Sequence, residues 1–214
     1  MCLIIVKKQG VEVPTNLIDY VKQAARTNAD GVGIAFKEKG TFITYVLRSL
    51  DVEDIIRYIQ EKQLSSSPIT AADSFFIHFR MGTSGVVSTL NVHPFEIQYS
   101  YTSYNTINKS LDNHENWATK MPIKTYLSVA AHNGILSDYS GHPKYCDTLL
   151  FTQLILNKKN IASIPSNELG GKWAFYKGND SGDVQCFGNF VKCSENGLYF
   201  SHSGGELRKN HVHY

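Results

Sequence analysis

The chain opens on one cysteine set against an unbroken apolar run, Cys2 followed by Leu3-Ile4-Ile5-Val6, and this stretch constrains the rest. A short run rich in β-branched residues reads as a buried strand, so Cys2 stands where that strand begins. If Met1 is removed, Cys2 carries both a thiol and a free α-amine. Such an amine titrates near neutrality, at about 7.7–8.0. It can therefore accept the thiol proton, directly or through one water, and leave the thiolate that acts as nucleophile. The plainer reading of Cys2 is a small hydrophobe at the start of a buried strand.

With 214 residues and no internal repeat or linker, the chain is expected to form a single domain, 1–214, with a sizeable core. Lys and Arg total 21 against 19 Asp and Glu, a net charge of +2. That balance gives no electrostatic case for nucleic acid or a membrane surface. No apolar run reaches the ~18 residues needed to span a bilayer, and the first six residues are too short for a signal peptide. A soluble, cytoplasmic protein is expected. The four cysteines, Cys2, Cys146, Cys186 and Cys193, fit neither a disulfide scaffold nor a zinc site. Phe187-Gly188-Asn189-Phe190 reads as a hairpin loop in which Cys186 faces Val191 rather than Cys193, so reduced thiols are expected.

Helical spacing runs from Asn16 to Asn28, with Thr15 as the expected N-cap, and again over Val52–Gln63 behind Asp51. Strands are expected at Val32–Phe36 and Thr41–Leu47, forming a hairpin, and then at Ser74–Met81 and Lys124–Ala131. A late helix is expected over Tyr145–Asn157. Beyond Lys172 come only strands: Trp173–Tyr176, Val184–Phe187, Phe190–Cys193 and Leu198–Ser201. This order favours an α+β architecture, a β-rich centre with helices outside.

Three stretches place polar residues at expected strand ends: His78-Phe79-Arg80-Met81-Gly82-Thr83-Ser84-Gly85, Asn91-Val92-His93-Pro94-Phe95, and Ala131-His132-Asn133-Gly134. Each has a bland reading as surface charge or turn. Together they supply what a cysteine acting on an amide needs. The Asn133 side-chain NH₂ and the Gly134 backbone N–H suit an oxyanion, and Arg80 suits a substrate carboxylate better than any lysine.

These residues resemble the glutaminase domain of the class II glutamine amidotransferases, members of the N-terminal nucleophile hydrolases. Met1-Cys2 is similar to the initiator methionine and nucleophile, and Asn28-Ala29-Asp30-Gly31-Val32-Gly33 to the family's Asp-Gly-x-Gly stretch. His78-x-Arg80-x-x-Thr83-x-Gly85 is similar to its glutamine loop, His132-Asn133-Gly134 to its oxyanion turn, and Tyr145-Cys146-Asp147-Thr148 to the Ser-Asp-Thr stretch that opens a helix. The motifs keep the family's order and cover roughly residues 1–155.

The resemblance implies a four-layer αββα sandwich of the N-terminal nucleophile hydrolase type. It implies that Cys2 attacks the side-chain amide of glutamine, releases ammonia, and leaves a thioester that water hydrolyses to glutamate. Arg80 and Thr83 would hold the substrate carboxylate, Asp147 the α-ammonium, and Asn133 with Gly134 the oxyanion. His78, His93 and His132 would support the site, with no metal and no organic cofactor. Ser84 stands where several relatives carry His, and Cys146 where Ser or Thr is common. The wide spacing of His93 and His132 marks 97–122 as an expected insertion loop. No synthase domain follows before Tyr214, so ammonia is expected to pass to an acceptor on a separate synthase subunit, or the enzyme works as a simple amidohydrolase. The alternatives are hydrolysis of another carboxylate-bearing amide and a non-catalytic binding module of the same fold.

Overall fold

The computed structural model describes residues 2–97, 121–156 and 158–203. Nearly all of the expected insertion, 97–122, lies outside the described residues, as do Met1 and residues 204–214. In chain order the regular elements are β1 (Leu3–Lys7), α1 (Leu17–Thr27), β2 (Val32–Lys37), β3 (Thr44–Ser49), α2 (Val52–Leu64), β4 (Ser74–Phe79), β5 (Phe95–Ile97), β6 (Ile123–Thr125) and β7 (Ser128–Asn133). They continue with α3 (Asp147–Phe151), α4 (Ser166–Leu169), β8 (Lys172–Tyr176), β9 (Gln185–Phe187), β10 (Val191–Lys192) and β11 (Tyr199–Phe200). The fold is α+β, with two antiparallel sheets. One has the order β10-β11-β1-β4-β2-β3-β6 and the other β5-β7-β8-β9.

Alternation along the strands decides which face meets what. Leu3 and Ile5 of β1, Ile34 and Phe36 of β2, and Phe75 and Ile77 of β4 pack with Leu17, Val21, Ile55 and Ile59 of α1 and α2. Their neighbours Ile4, Val6, Ala35 and Phe76 face the other way, against Val129, Ala131, Ala174 and Tyr176 of the second sheet. The far face of that sheet, carrying Ala130, Trp173 and Phe175, packs on Phe151, Leu156, Ile161 and Leu169. Each fully buried Leu, Ile, Val or Phe contributes on the order of 1.5–3 kcal/mol.

The expected hairpin is present as β2 and β3, paired from Val32↔Ser49 to Lys37↔Thr44. Asp51 caps α2 by accepting the Glu53 N–H at 2.9 Å. Four expectations are corrected. Asn16, not Thr15, occupies the N-cap of α1, because the Pro14 carbonyl accepts the Leu17 N–H in a preceding turn. The run Lys124–Ala131 is two strands in different sheets, β6 and β7, with the chain crossing between them at Tyr126-Leu127. Phe187–Phe190 is likewise a crossing between sheets, since β9 pairs with β8 and β10 with β11, so Cys186 does not face Val191. The late helix is α-helical only over Asp147–Phe151 and continues as a π-helical turn, Thr152–Leu156. There the Thr152 hydroxyl donates to the Leu149 carbonyl and the Gln153 amide to the Glu96 carbonyl, which draws this segment onto the edge strand β5. The four cysteines are free thiols.

At Gly33 the segment entering β5 lies directly against the first sheet. Gly33 pairs with His78 across β2 and β4, and a Cβ built on it would lie 2.1 Å from the His93 carbonyl oxygen and 3.0 Å from that of Leu47. Both contacts are backbone, which cannot swing aside. Gly33→Ala is therefore expected to destabilise by at least about 2 kcal/mol through overpacking. A fall in the urea midpoint of this variant measures the cost, and an unchanged midpoint would show that the two layers do not depend on this contact.

Candidate active site

Antiparallel pairing assembles the site. Leu3 of β1 lies opposite Phe79 of β4, so the residue before β1, Cys2, meets the segment after β4, Arg80-Met81. The Cys2 Sγ accepts the Met81 N–H at 3.3 Å and the thiol donates to the Met81 carbonyl at 3.4 Å. Burial pushes the Cys2 thiol above its ordinary range, and the Met81 amide offsets part of that rise. The group is a thiol rather than a thiolate at neutral pH.

The Arg80 backbone is pinned to the turn that precedes β2. Its N–H donates to the Gly31 carbonyl at 2.8 Å and its carbonyl accepts the Asp30 N–H at 3.1 Å, while Asp30 Oδ2 accepts the Gly82 N–H at 2.7 Å. Arg80 is 3% exposed. Its Nη2 donates to the Ser84 carbonyl at 2.8 Å and more weakly to the Gly85 carbonyl at 3.5 Å. Its Nη1 is buried and has no hydrogen-bond partner among the described residues. A buried cation with an unused donor is costly unless an anion or acceptor arrives.

Asp147 opens α3. Its Oδ2 accepts the Leu136 N–H at 2.7 Å and its Oδ1 the Thr148 N–H at 2.8 Å, which fix the side chain at the helix start. Gly134 ends β7 in the open, whereas Asn133 is buried. The Asn133 amide donates to Ser201 Oγ at 2.7 Å, and that oxygen also accepts the Ile4 N–H at 2.9 Å. Asn133 is thus tied to β1 two residues from Cys2, with one N–H spent on Ser201.

Cys2, Arg80, Thr83, Gly134, Cys146 and Asp147 line one cavity of about 20 Å³, with His93 and His132 at its wall. That is room for about one water. Thr83 sits on the exposed side, on the loop that closes the cavity. A larger cavity, about 770 Å³, lies elsewhere, between α1 and α2. Its lining has Glu12 as the sole titratable side chain, so it offers no comparable chemistry.

His93 and His132 line the cavity, and His78 lies beyond them. His78 stacks on His93 with ring centroids 4.0 Å apart. His93 Nδ1 accepts the His132 N–H at 3.3 Å, and its Nε2 lies 4.0 Å from Cys146 Sγ. His132 faces the other side of its sheet, stacked on Trp173 at 4.3 Å with Nδ1 3.0 Å from the Thr148 hydroxyl. Desolvation pushes His78 down to about 3 and His132 down to about 4, and holds His93 well below its usual range. All three are neutral at pH 7 and act as positioning groups. Burial pushes the Cys146 thiol up to about 12, so it is inert beside Cys2. The described residues contain no group of three or more His, Cys, Asp or Glu placed to hold a metal, and no helix long and apolar enough to cross a membrane.

The structure therefore brings Cys2, Arg80, Thr83, Gly134 and Asp147 to one cavity and puts Asn133, His78, His93 and His132 around it. Sequence reasoning missed Ser201, which anchors Asn133, and assigned no role to Asn91 although it singled out the stretch containing it. Asn91 is fully buried and accepts the Cys146 N–H. An Asn two residues before a His-Pro pair, between two apolar strands, was the available signal.

Because the folded pKa values of the histidines lie below the ordinary ~6.5, the unfolded chain binds protons that the folded chain refuses. Stability is full above about pH 6.5 and falls as the pH drops from there toward the folded values. His78 has no ring hydrogen bond among the described residues, so His78→Phe should fold and show a shallower loss of Tm between about pH 6.5 and 4.5. A slope as steep as that of the parent chain would remove His78 from this account. Comparison with known proteins yields no matching family model and no matching curated relative for this sequence.

Proposed function

We propose that this chain hydrolyses the side-chain amide of glutamine, with Cys2 as nucleophile, in the manner of the class II glutamine amidotransferases that its motifs resemble. The observation that carries the proposal is the shared cavity. A thiol at a chain start, a buried guanidinium with an unused Nη1, and a carboxylate fixed at a helix start all face it. An α-amino acid head group offers a carboxylate to Arg80 and an ammonium to Asp147, and its side-chain amide then extends toward Cys2.

In this reading the α-amine freed by loss of Met1 takes the Cys2 proton. The thiolate adds to the amide carbon, and the oxyanion is met by the Gly134 N–H and the second N–H of Asn133. Collapse expels ammonia, protonated by the same amine, and leaves a γ-glutamyl thioester. Water, activated by that amine, then adds to the thioester to give glutamate and the free thiol. A cavity of about 20 Å³ is too small for glutamine, so substrate entry requires the exposed loop at 81–88 to move. Three of the core clusters support the four-layer αββα reading, with helices outside two facing sheets. The ammonia would pass to an acceptor on a separate synthase partner.

The test is release of glutamate and ammonia from glutamine by protein lacking Met1. Cys2→Ala is expected to lower the rate by about a thousand-fold or more. Asn133→Ala is expected to cost about 10²–10³ in kcat, the effect of removing one oxyanion donor. Equal ammonia release from the parent and from Cys2→Ala would sink the proposal, and a preference for other amides over glutamine would redirect it to a different amide hydrolase.

A further inference from the structure

Arg80 and Asp147 are on different elements, and the distance between them decides which head group they can grip together. We propose that Asn91 sets that distance, as a specificity-determining positioning residue that selects a free α-amino acid head group. The inference rests on the glutaminase reading for its substrate and on the following geometry for its substance.

Asn91 is 0% exposed and does not line the cavity. Its Oδ1 accepts the Cys146 N–H at 2.8 Å, and its Nδ2 donates to the Val86 carbonyl at 2.9 Å and the Lys144 carbonyl at 2.7 Å. Both amide hydrogens are used, so the side chain has one satisfactory orientation. One amide thus joins the loop after Arg80, at Val86, to the segment that enters α3, at Lys144 and Cys146. A further tie of the loop is Arg80 itself, whose Nη2 donates to the Ser84 and Gly85 carbonyls.

Gly85 closes the ring. Its φ is +69°, and a Cβ there would lie 2.7 Å from the Cys146 nitrogen and from the Tyr145 carbonyl carbon, and 3.0 Å from Asn91 Nδ2. The loop backbone therefore rests directly on the residue before Asp147. From guanidinium to Ser84-Gly85, to Asn91, to Cys146-Asp147, the two charged grips are linked through a short hydrogen-bonded circuit. Asp147 is held at its far end by the Leu136 N–H. Loosening Asn91 frees the grips to move apart while leaving Cys2 on Met81 and Gly134 at the end of β7.

The experiment compares the parent chain with Asn91→Asp, Asn91→Ala and Gly85→Ala, each checked for folding by its thermal melt. Asn91→Asp keeps the acceptor for Cys146 but turns the two donors into an oxygen facing two carbonyls. Gly85→Ala strikes the same junction from the loop side, so one unfolded variant does not end the test. The substrates are glutamine and glutaramate, its analogue without the α-ammonium. The expected result is a KM for glutamine raised about ten-fold or more with kcat little changed, the mark of lost uniform binding. The preference for glutamine over glutaramate should fall by a similar factor. Alkylation of Cys2 by iodoacetamide, which needs no head-group grip, should keep its rate.

Equal losses on both substrates, or an unchanged preference in every folded variant, would overturn the proposal. A parent chain that hydrolyses neither amide fails the glutaminase reading instead. Asn91 is then judged on thermal stabilisation by L-glutamate against glutarate. A parent preference for L-glutamate that Asn91→Asp abolishes supports the spacing role, and the absence of any such preference refutes it.

Discussion

The site depends first on the register of β1 against β4. Five antiparallel pairs, from Leu3↔Phe79 to Lys7↔Phe75, bring the residue before one strand beside the residue after the other. Because side chains alternate with a period of two, a slip by one residue would turn Leu3 and Ile5 away from the helices and Ile4 and Val6 away from the second sheet. Every one of these side chains is buried. The register is therefore enforced by two cores at once, and the meeting of Cys2 with Arg80-Met81 follows from it without any contribution from the site residues. In the proposed reaction this means that the nucleophile is positioned by hydrophobic packing at its back.

The second constraint is polar and lies between the sheets. His78 points to the same side of β4 as Phe76, toward the second layer, and carries no ring hydrogen bond among the described residues. Burying an unsatisfied imidazole is costly, and what offsets the cost here is a stacking partner. His93 reaches His78 because Gly33 has no side chain to hold the His93 carbonyl away. His93 then accepts the amide of His132, which sits in β7 immediately before Asn133 and Gly134. The stack thus couples the sheet that carries Arg80 to the strand that carries the proposed oxyanion donors. Neutral rings suit this task, since a charged His78 would face Arg80 across a short distance in a medium that screens poorly.

Much of this was legible in the sequence. Cys2 against an apolar run, Arg80 after a strand, Asn133-Gly134 at a strand end and Asp51 before a helical stripe are local signals, and the structure keeps each in its place. What the sequence hid were the points where the chain changes sheets. Lys124–Ala131 reads as one strand, yet the Leu127 N–H turns back to Thr125 Oγ1 and the chain leaves for the other layer. Phe187-Gly188-Asn189-Phe190 has hairpin chemistry, but Gly188 serves a crossing in which its backbone abuts Gly171 and Lys172. Turn residues report that the chain bends; partner choice is decided by distant strands. For the same reason Ser201 and Asn91 escaped notice as site residues, because their value lies in bonds spanning 68 and 55 positions.

The proposed binding of an amino acid can be argued from what Arg80 lacks. A lysine in its place would turn its compact ammonium toward whichever carbonyl lay nearest, whereas a planar guanidinium satisfied along one edge by Ser84 and Gly85 keeps its other nitrogen fixed in direction. That unspent donor sits beside a cavity of about 20 Å³, so the closed form carries an unmet electrostatic demand and no room to meet it. A carboxylate entering with displacement of the loop would supply a charge-assisted hydrogen bond of about 1.5–3 kcal/mol net. That gain works against the cost of moving a loop held by a few backbone contacts and by Asn91. A balance of this kind favours ligands that satisfy both grips over those that satisfy one, since a half-gripped ligand opens the loop without compensating for it. Selectivity for a whole α-amino acid head group would then follow from how firmly the loop is tied over the site, as well as from the groups that line it.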